Sequence, residues 1–158
     1  FNKAKKSNII STQFKLDRCL IPCDGFYFWK NFSKKEKTPY YFKYTKEKLI
    51  YCVGIRETFQ DFSGNSFKYF YFLTDQSTEK WKKFTPKIPI LFDIRYLDIW
   101  FSKTTSINKI SSFINPIKFD DFNFYTVSPY FENNNRDDIS LINPSNNLNQ
   151  YGNYSLFD

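Results

Sequence analysis

Apolar and polar positions alternate along the chain in short blocks that predict a series of β-strands. The first apolar block, at 20–29, has Asp24-Gly25 in its middle, which predicts a bend or bulge in the strand. Residues 39–44 form a second β-rich run. Residues 49–55 are apolar throughout, which is typical of a central strand buried on both faces. Residues 67–73 predict another strong strand. Charged or turn-forming segments separate these blocks at 30–38, 45–48 and 61–65.

The period of the pattern changes after residue 76, where two short helices are predicted. Residues 77–81 fit a short helix with a Ser/Thr N-cap. Residues 93–101 fit a helix capped by Asp93. Its apolar face would carry Ile94, Leu97 and Phe101.

The remaining segments complete a single domain. Two prolines bracket Lys87 in a segment expected to be a rigid loop, and residues 124–127 predict a late strand. From residue 132 onward the chain is rich in Asn and turn-forming residues. We expect one α+β domain over residues 1–145, with mainly antiparallel strands in a barrel-like sheet and a few short helices. Residues 146–158 would be a loose tail.

Composition excludes several classes of protein. No apolar run approaches the roughly 20 residues of a membrane span, so we expect no membrane partner. The chain has 158 residues and a net charge of +7, which fits an acidic partner such as nucleic acid. Lys, Asn, Ile, Phe and Tyr are all encoded by A/T-rich codons, and only four of the 23 basic residues are Arg. The charge therefore supports nucleic-acid binding only slightly.

The His and Cys content of the chain excludes several catalytic mechanisms. Because the sequence has no His, Ser-His-Asp and Cys-His mechanisms are excluded within this chain. An odd number of cysteines and no apolar segment at the start favour reduced thiols in a cytoplasmic protein. Cys19 and Cys23 could hold a metal only if carboxylates completed the ligand set, so we interpret them as small core thiols. No cofactor is expected.

The most specific motif lies around the predicted bend. Residues 19–29 read CLIPCDGFYFW, which closely resembles the CLIPADGFYEW signature of the SOS response-associated peptidase family, also called abasic-site processing proteins. The segment departs from the signature at Cys23, small for small, and at Phe28. Further segments resemble family motifs in the same order along the chain, at 39–41, 53–57, 72–74, 85–91, 125–128 and 136–144.

The resemblance implies an unusual reaction. Family members use the amine and thiol of an N-terminal Cys to condense with the aldehyde of an abasic site in single-stranded DNA. The product is a thiazolidine DNA–protein crosslink, and the same residue accounts for the label peptidase. A Glu in the signature strand serves the amine, a His assists ring opening, and Asn and Arg of a preceding motif position the sugar-phosphate.

Carried over residue by residue, this constellation is incomplete here. Phe28 stands where the family has Glu and Thr85 where it has His, so neither catalytic position is intact and enzymatic activity stays open. The N-terminal Cys would lie upstream of Phe1, so we expect the N-terminal part of the domain to be missing. The residues that keep a nucleic-acid-binding role are Asn2, Thr74 and Lys87, with Lys3 and Lys5 beside the lost Arg position.

The resemblance thus implies a monomeric abasic-site processing protein, binding single-stranded DNA, whose chemistry is weakened or lost. The alternatives are a non-covalent single-stranded nucleic-acid-binding module and the product of a decaying gene. Individual residues also have simpler interpretations. Asn2 could be an ordinary polar residue near a chain end, and Trp29 is better explained by strand packing than by base stacking.

Overall fold

A computed structural model describes residues 17–32, 37–46, 49–133 and 135–145. These residues form antiparallel strands accompanied by two short α-helices and several 3₁₀ turns. The strands are β1 (Arg18–Cys23), β2 (Gly25–Asn31), β3 (Lys37–Tyr44), β4 (Ile50–Gln60), β5 (Ser66–Phe72), β6 (Thr74–Gln76), β7 (Lys87–Phe92), β8 (Ile114–Pro116) and β9 (Phe122–Thr126). The helices are α1 (Leu97–Phe101) and α2 (Ile107–Ser111). No helix in these ranges is long and apolar enough to cross a membrane.

The strands divide between two sheets. The larger sheet has the order β1-β4-β7-β6, with β5 also paired to β4 and β8 to β7. The smaller sheet has the order β2-β3-β9. Every pairing between the strands is antiparallel, which confirms the predicted α+β class with mainly antiparallel strands. The predicted tail at 146–158 lies outside the described residues.

The predicted bend at Asp24-Gly25 is the point where the chain leaves one sheet for the other. β1 ends at Cys23 in the larger sheet and β2 begins at Gly25 in the smaller one. A Cβ at Gly25 would lie 2.4 Å from the carbonyl oxygen of Phe42 and 2.7 Å from the hydroxyl oxygen of Tyr41. Glycine is therefore required here because the backbone of β3 passes too close for any side chain.

β4 is the central strand of the larger sheet, as its continuous apolar run predicts. It pairs with β1, β5 and β7. Val53 and Ile55 enter a core cluster with Ile90, Phe92 and Trp100. Ile50 and Cys52 project from the opposite face into a second cluster, whose other buried members are Phe42, Trp81, Ile88, Ile117 and Phe122. Both faces of β4 are thus covered, so no alternation with polar residues is seen.

The prediction of a capped helix at 77–81 is wrong. The turn is a 3₁₀ helix that begins at Trp81 and ends at Lys83, and no side chain caps it. The Ser77 amide donates instead to the carbonyl of Pro86 at 3.2 Å, across the base of the following loop. Burial of Trp81, which is 0% exposed, fixes this turn in place of an N-terminal cap.

The rigid loop predicted around Lys87 is also wrong. Lys87 begins strand β7 and pairs with Gln76 of β6. Pro89 lies inside the strand, opposite Thr74, and its carbonyl accepts a hydrogen bond from the Ile117 amide at 3.2 Å. Pro89 thus takes part in the sheet through its carbonyl oxygen, and the lack of an N–H group does not break the strand.

The helix at 93–101 is confirmed with a different buried face. The Asp93 carboxylate caps it by accepting from the Arg95 amide at 3.1 Å. Its first turn is 3₁₀, at Ile94–Tyr96, before α1 begins. Because a 3₁₀ turn has 3.0 residues rather than 3.6, the faces shift. Trp100 is buried, whereas Phe101, which was predicted to lie on the apolar face of the helix, is 66% exposed.

Candidate nucleic-acid interface

The pair of strands β6 and β7 brings two of the predicted binding residues onto one face. Thr74 pairs with Pro89 and Gln76 with Lys87. Since alternate residues of a strand share a face and register partners point the same way, Thr74, Gln76 and Lys87 lie on one side of this ribbon. Thr74 is half-buried and Lys87 is exposed, so this face of the ribbon carries a hydroxyl residue and an exposed cation.

Thr85 lies just before this ribbon, and its hydroxyl is engaged with the backbone. Its Oγ1 donates to the carbonyl of Lys87 at 2.8 Å and accepts from the Lys87 amide at 3.3 Å. Its own amide donates to the carbonyl of Trp81 at 3.0 Å. These bonds stabilise the turn that directly precedes Lys87, the first residue of β7. They leave Thr85 as a positioning side chain, since its hydroxyl proton is already donated.

A cleft of about 810 Å³ opens beside Thr85. It is lined by Asn31, Gln76, Ser77, Lys82, Lys83 and Thr85, among others. The Ser77 hydroxyl is buried and has no hydrogen-bond partner among the described residues. An unpartnered buried hydroxyl at the wall of a basic cleft is suited to meet a polar ligand atom. This wall is not predicted from the sequence, although the run Lys82-Lys83-Phe84 is a basic and aromatic signal.

The cations around the cleft differ in how far they are neutralised. Lys82 is paired with Glu79. Lys83 and Lys87 are exposed, and neither forms an ion pair within the part of the chain that is described. Lys30 lies over aromatic rings, 4.5 Å from the centroid of Phe32 and 6.0 Å from that of Phe84. Two uncompensated ammonium groups and neighbouring rings are what a phosphate backbone with unstacked bases requires.

Phe28, which the sequence predicts at the position of the family's Glu, is part of an aromatic cluster. Its ring centroid lies 5.5 Å from that of Phe42, 5.7 Å from Trp81 and 6.0 Å from Phe26. The side chain carries no ionisable group, and it packs against a cluster of buried hydrophobic residues. Phe28 and Thr85 are joined through Trp81, which meets Phe28 with its ring and Thr85 with its carbonyl. The two positions thus contact the same buried residue, one through its side chain and the other through its backbone.

Trp29 is engaged within the protein. Its Nε1 donates to Oε1 of Glu132 at 2.7 Å. The ammonium of Lys37 lies 4.0 Å from its ring centroid, and Phe131 packs at 5.7 Å. These contacts fix the end of β2 against the segment that follows β9.

Asn2, Lys3 and Lys5 lie outside the described residues, so their predicted binding role stays a prediction. Within residues 17–32, 37–46, 49–133 and 135–145, no group of three or more His, Cys, Asp or Glu side chains is placed to hold a metal ion. Two of the cysteines, Cys23 and Cys52, lie close together in the core of β1 and β4.

Comparison with known sequences supplies a family. The model of the family described as SOS response associated peptidase (SRAP) matches residues 2–134. The chain is similar to the abasic site processing protein YoaM of Bacillus subtilis, with 26% identity over 132 residues, 83% of this chain and 58% of that protein. It is also similar to the abasic site processing protein YoqW of Bacillus subtilis, with 28% identity over 82% of this chain and 54% of that protein. The chain therefore spans a little over half the length of these relatives.

Comparison with solved structures supports the fold. A protein from Bacteroides thetaiotaomicron superposes with a TM-score of 0.75 at 16% identity, covering 92% of this chain and 64% of that one. A protein from Bordetella bronchiseptica superposes with a TM-score of 0.63 at 13% identity, covering 80% of this chain and 62% of that one. At these identities the likeness concerns architecture alone.

Proposed function

The chain belongs to the SOS response associated peptidase (SRAP) family, and from that premise we propose that it takes part in abasic-site processing by binding single-stranded DNA. The relatives named as abasic site processing proteins support this assignment. The DNA would be held at the β6–β7 ribbon and the adjacent cleft. We further propose that the protein acts in the cytoplasm, as a monomer, on abasic sites in single strands.

The observation that carries the proposal is a pair of exposed cations at this surface, with Lys83 lining the cleft and Lys87 on the adjoining β6–β7 ribbon. Neither ammonium is neutralised by a carboxylate among the described residues, so each is available to a phosphate. Thr74 adds a hydroxyl on the face that carries Lys87. Ser77 adds a buried hydroxyl at the cleft wall. Lysine ammonium groups and side-chain hydroxyls are groups that contact the phosphates and sugars of a DNA strand.

The covalent step would be slow in this protein. Phe28 cannot accept a proton from an attacking amine, and the rings that surround it among the described residues, those of Phe26, Phe42 and Trp81, carry no base. Thr85 already donates its hydroxyl proton to the carbonyl of Lys87. Each acid–base contribution is typically about 10²–10⁴-fold in rate. Loss of both would leave binding with greatly reduced crosslink formation.

The same observations favour a second candidate, a non-covalent binder of single-stranded nucleic acid. Free cations and nearby rings at the cleft serve binding even where the chemistry is absent. In that case an abasic site would give no advantage over an intact strand. The affinity would come mainly from phosphate contacts and would fall steeply with salt.

The test uses the full-length natural protein with two matched fluorescent oligonucleotides, one of which carries a single abasic site. Fluorescence anisotropy over a series of salt concentrations measures binding. A denaturing gel after heating measures covalent product. Abasic-site processing predicts salt-sensitive binding, preference for the abasic strand and a slow covalent product.

Each other outcome is also decisive. Salt-sensitive binding without preference and without covalent product supports the non-covalent candidate. A crosslink at the rate of a relative that retains the Glu and the His, measured in parallel, contradicts the proposed weakening. No binding to either oligonucleotide at low salt contradicts both candidates.

A further inference from the structure

Two of the three cysteines lie side by side in the sheet. The Sγ atoms of Cys23 and Cys52 are 3.6 Å apart. Cys23 is the last residue of β1, and Cys52 lies in β4, whose register places Ile21 opposite Cys52 and Ile50 opposite Cys23. The two thiols are therefore diagonal neighbours on one face of the pair, since side chains alternate along each strand.

The two thiols differ in access and acidity. Cys52 is 0% exposed, whereas Cys23 is half-buried at the edge of the same core cluster. The hydrogen bond between the two sulfurs lowers the pKa of the Cys23 thiol. That bond and burial both raise the pKa of Cys52. Cys23 is thus the thiol that meets solvent and more readily forms the thiolate, which is the form that reacts with oxidants.

We propose that Cys23 and Cys52 are a site of reversible disulfide formation, with hydrogen peroxide as oxidant. The Cys23 thiolate attacks one peroxide oxygen, the O–O bond breaks, and Cys23 becomes a sulfenic acid while the other oxygen leaves as water. The Cys52 sulfur then attacks the Cys23 sulfur and displaces the second water. In total two thiols and one peroxide give one disulfide and two waters, and the thiols supply two electrons and two protons.

The bond needs only a small movement. The sulfurs must close from 3.6 Å to a bond length of about 2.05 Å. Cys23 is the last residue of its strand, directly before the bend at Asp24, so its side chain can adjust at the strand end. The disulfide would tie this end to β4 at the corner where the chain crosses from one sheet to the other.

The link closes a loop between residues separated by 29 positions, and that loop contains β2 and β3. Such a link stabilises a protein chiefly by restricting the unfolded chain. For a domain of this size we expect the oxidised form to melt roughly 5–10 °C above the reduced form. A link forced into a strained geometry would instead lower the melting temperature.

Cys19 provides an internal control. Cys19 pairs with Gly54. Ile21 is the register partner of Cys52, and Cys19 and Cys23 lie two positions before and two positions after it. Its Sγ lies 3.1 Å from where a Cβ on Gly54 would be. Burial raises the pKa of its thiol. Cys19 therefore shares the strand and the face but occupies the other diagonal of Cys52.

The experiment oxidises the chain with hydrogen peroxide and reads the product by mass and by thiol titration. We expect a mass loss of about 2 Da, for two hydrogens, and a fall from three titratable thiols to one, both reversed by dithiothreitol. Peptide mapping then needs no variant. Trypsin releases residues 19–30, with Cys19 and Cys23, and residues 49–56, with Cys52. Fragmentation before Pro22 separates Cys19 from Cys23.

The outcomes divide cleanly. A 23–52 link that is mapped in the parent chain and raises its melting temperature supports the proposal, and its persistence in Cys19→Ser confirms that Cys19 takes no part. A Cys19 link, oxygen addition without a disulfide, or a disulfide that lowers the melting temperature overturns it. The mapping is done on the parent chain, so a variant that fails to fold does not affect the result.

Discussion

The ring of Phe28 packs edge-on against the indole of Trp81, with centroids 5.7 Å apart and planes at 63°. The carbonyl of the same Trp81 accepts the amide of Thr85. The two positions predicted to correspond to the family's acid–base residues therefore contact one buried residue, Phe28 through its indole and Thr85 through its backbone carbonyl. Changes at either position act on the core as well as on the site.

Substituting Phe28→Glu should destabilise the protein. The new carboxyl would lie among Phe26, Phe42 and Trp81 without a partner, which costs about 1–3 kcal/mol in proteins. Burial would raise the pKa of this new carboxyl in the folded state. The destabilisation should therefore be smallest near pH 4 and grow as the pH rises. Denaturant unfolding at the two pH values measures this, with Phe28→Leu as the control that adds no charge.

Restoring both family residues, by Phe28→Glu with Thr85→His, should raise crosslinking more than the product of the two single effects. Groups that serve one proton transfer act as a unit and are not additive. The measurement is the rate of covalent product with abasic single-stranded DNA, on protein carrying the family's N-terminal Cys segment. A folded, DNA-binding double variant no faster than its parent would show that these positions do not correspond to the catalytic ones.

Replacing Lys83 or Lys87 by Ala should weaken binding to single-stranded DNA to a similar degree for all sequences. Each loss should also reduce the slope of log K against log salt by about 0.7–1, since each removes one phosphate contact. Lys103→Ala is the matched control, because this exposed residue follows α1 rather than lining the cleft. An unchanged slope in both the Lys83 and the Lys87 variant would place the DNA elsewhere.

Gly25→Ala should destabilise the fold by about 1–3 kcal/mol, because the new Cβ would overlap the carbonyl oxygen of Phe42. Gly64→Ala provides the comparison. Its Cβ would meet no atom within 4 Å, but its φ of 82° is unfavourable for Ala. Gly64→Asn should recover part of that loss, because Asn tolerates this region, whereas Gly25→Asn should be worse than Gly25→Ala. Equilibrium unfolding of the four variants separates steric overlap from backbone strain.

The turn between β4 and β5 should loosen in acid. The Asp61 carboxylate accepts bonds from the amides of Ser63 and Asn65, each at 2.9 Å, and from the Asn65 side chain at 3.0 Å. These bonds lower the pKa of Asp61 below its usual value, and the bond from the Asn65 side chain has the largest effect. A lowered pKa means that the stabilisation is complete above the unfolded value near 3.9 and is lost as the pH falls through the folded value. Carboxyl chemical shifts followed by NMR give the pKa. In Asp61→Asn the amide shifts of the turn should no longer change over this range.

The sequence by itself determined the strands whose pattern comes from local chemistry. The apolar run of β4 indicated a strand buried on both faces, and the pair Asp24-Gly25 indicated a bend. The signature around that bend identified the family that the matching model supports. These features depend on residues adjacent in sequence, where side-chain alternation and the freedom of glycine act directly.

Only the tertiary structure decided which neighbours those residues meet. β5 was predicted as a strong strand, yet Phe67, Phe70 and Tyr71 are about half exposed because β5 pairs with β4 alone. Lys87 entered a strand because β6 supplied its partner, although prolines flanked it. The basic cleft and the contact between Cys23 and Cys52 join residues from different strands and turns. Such long-range pairings depend on register and packing among elements, which no local pattern encodes.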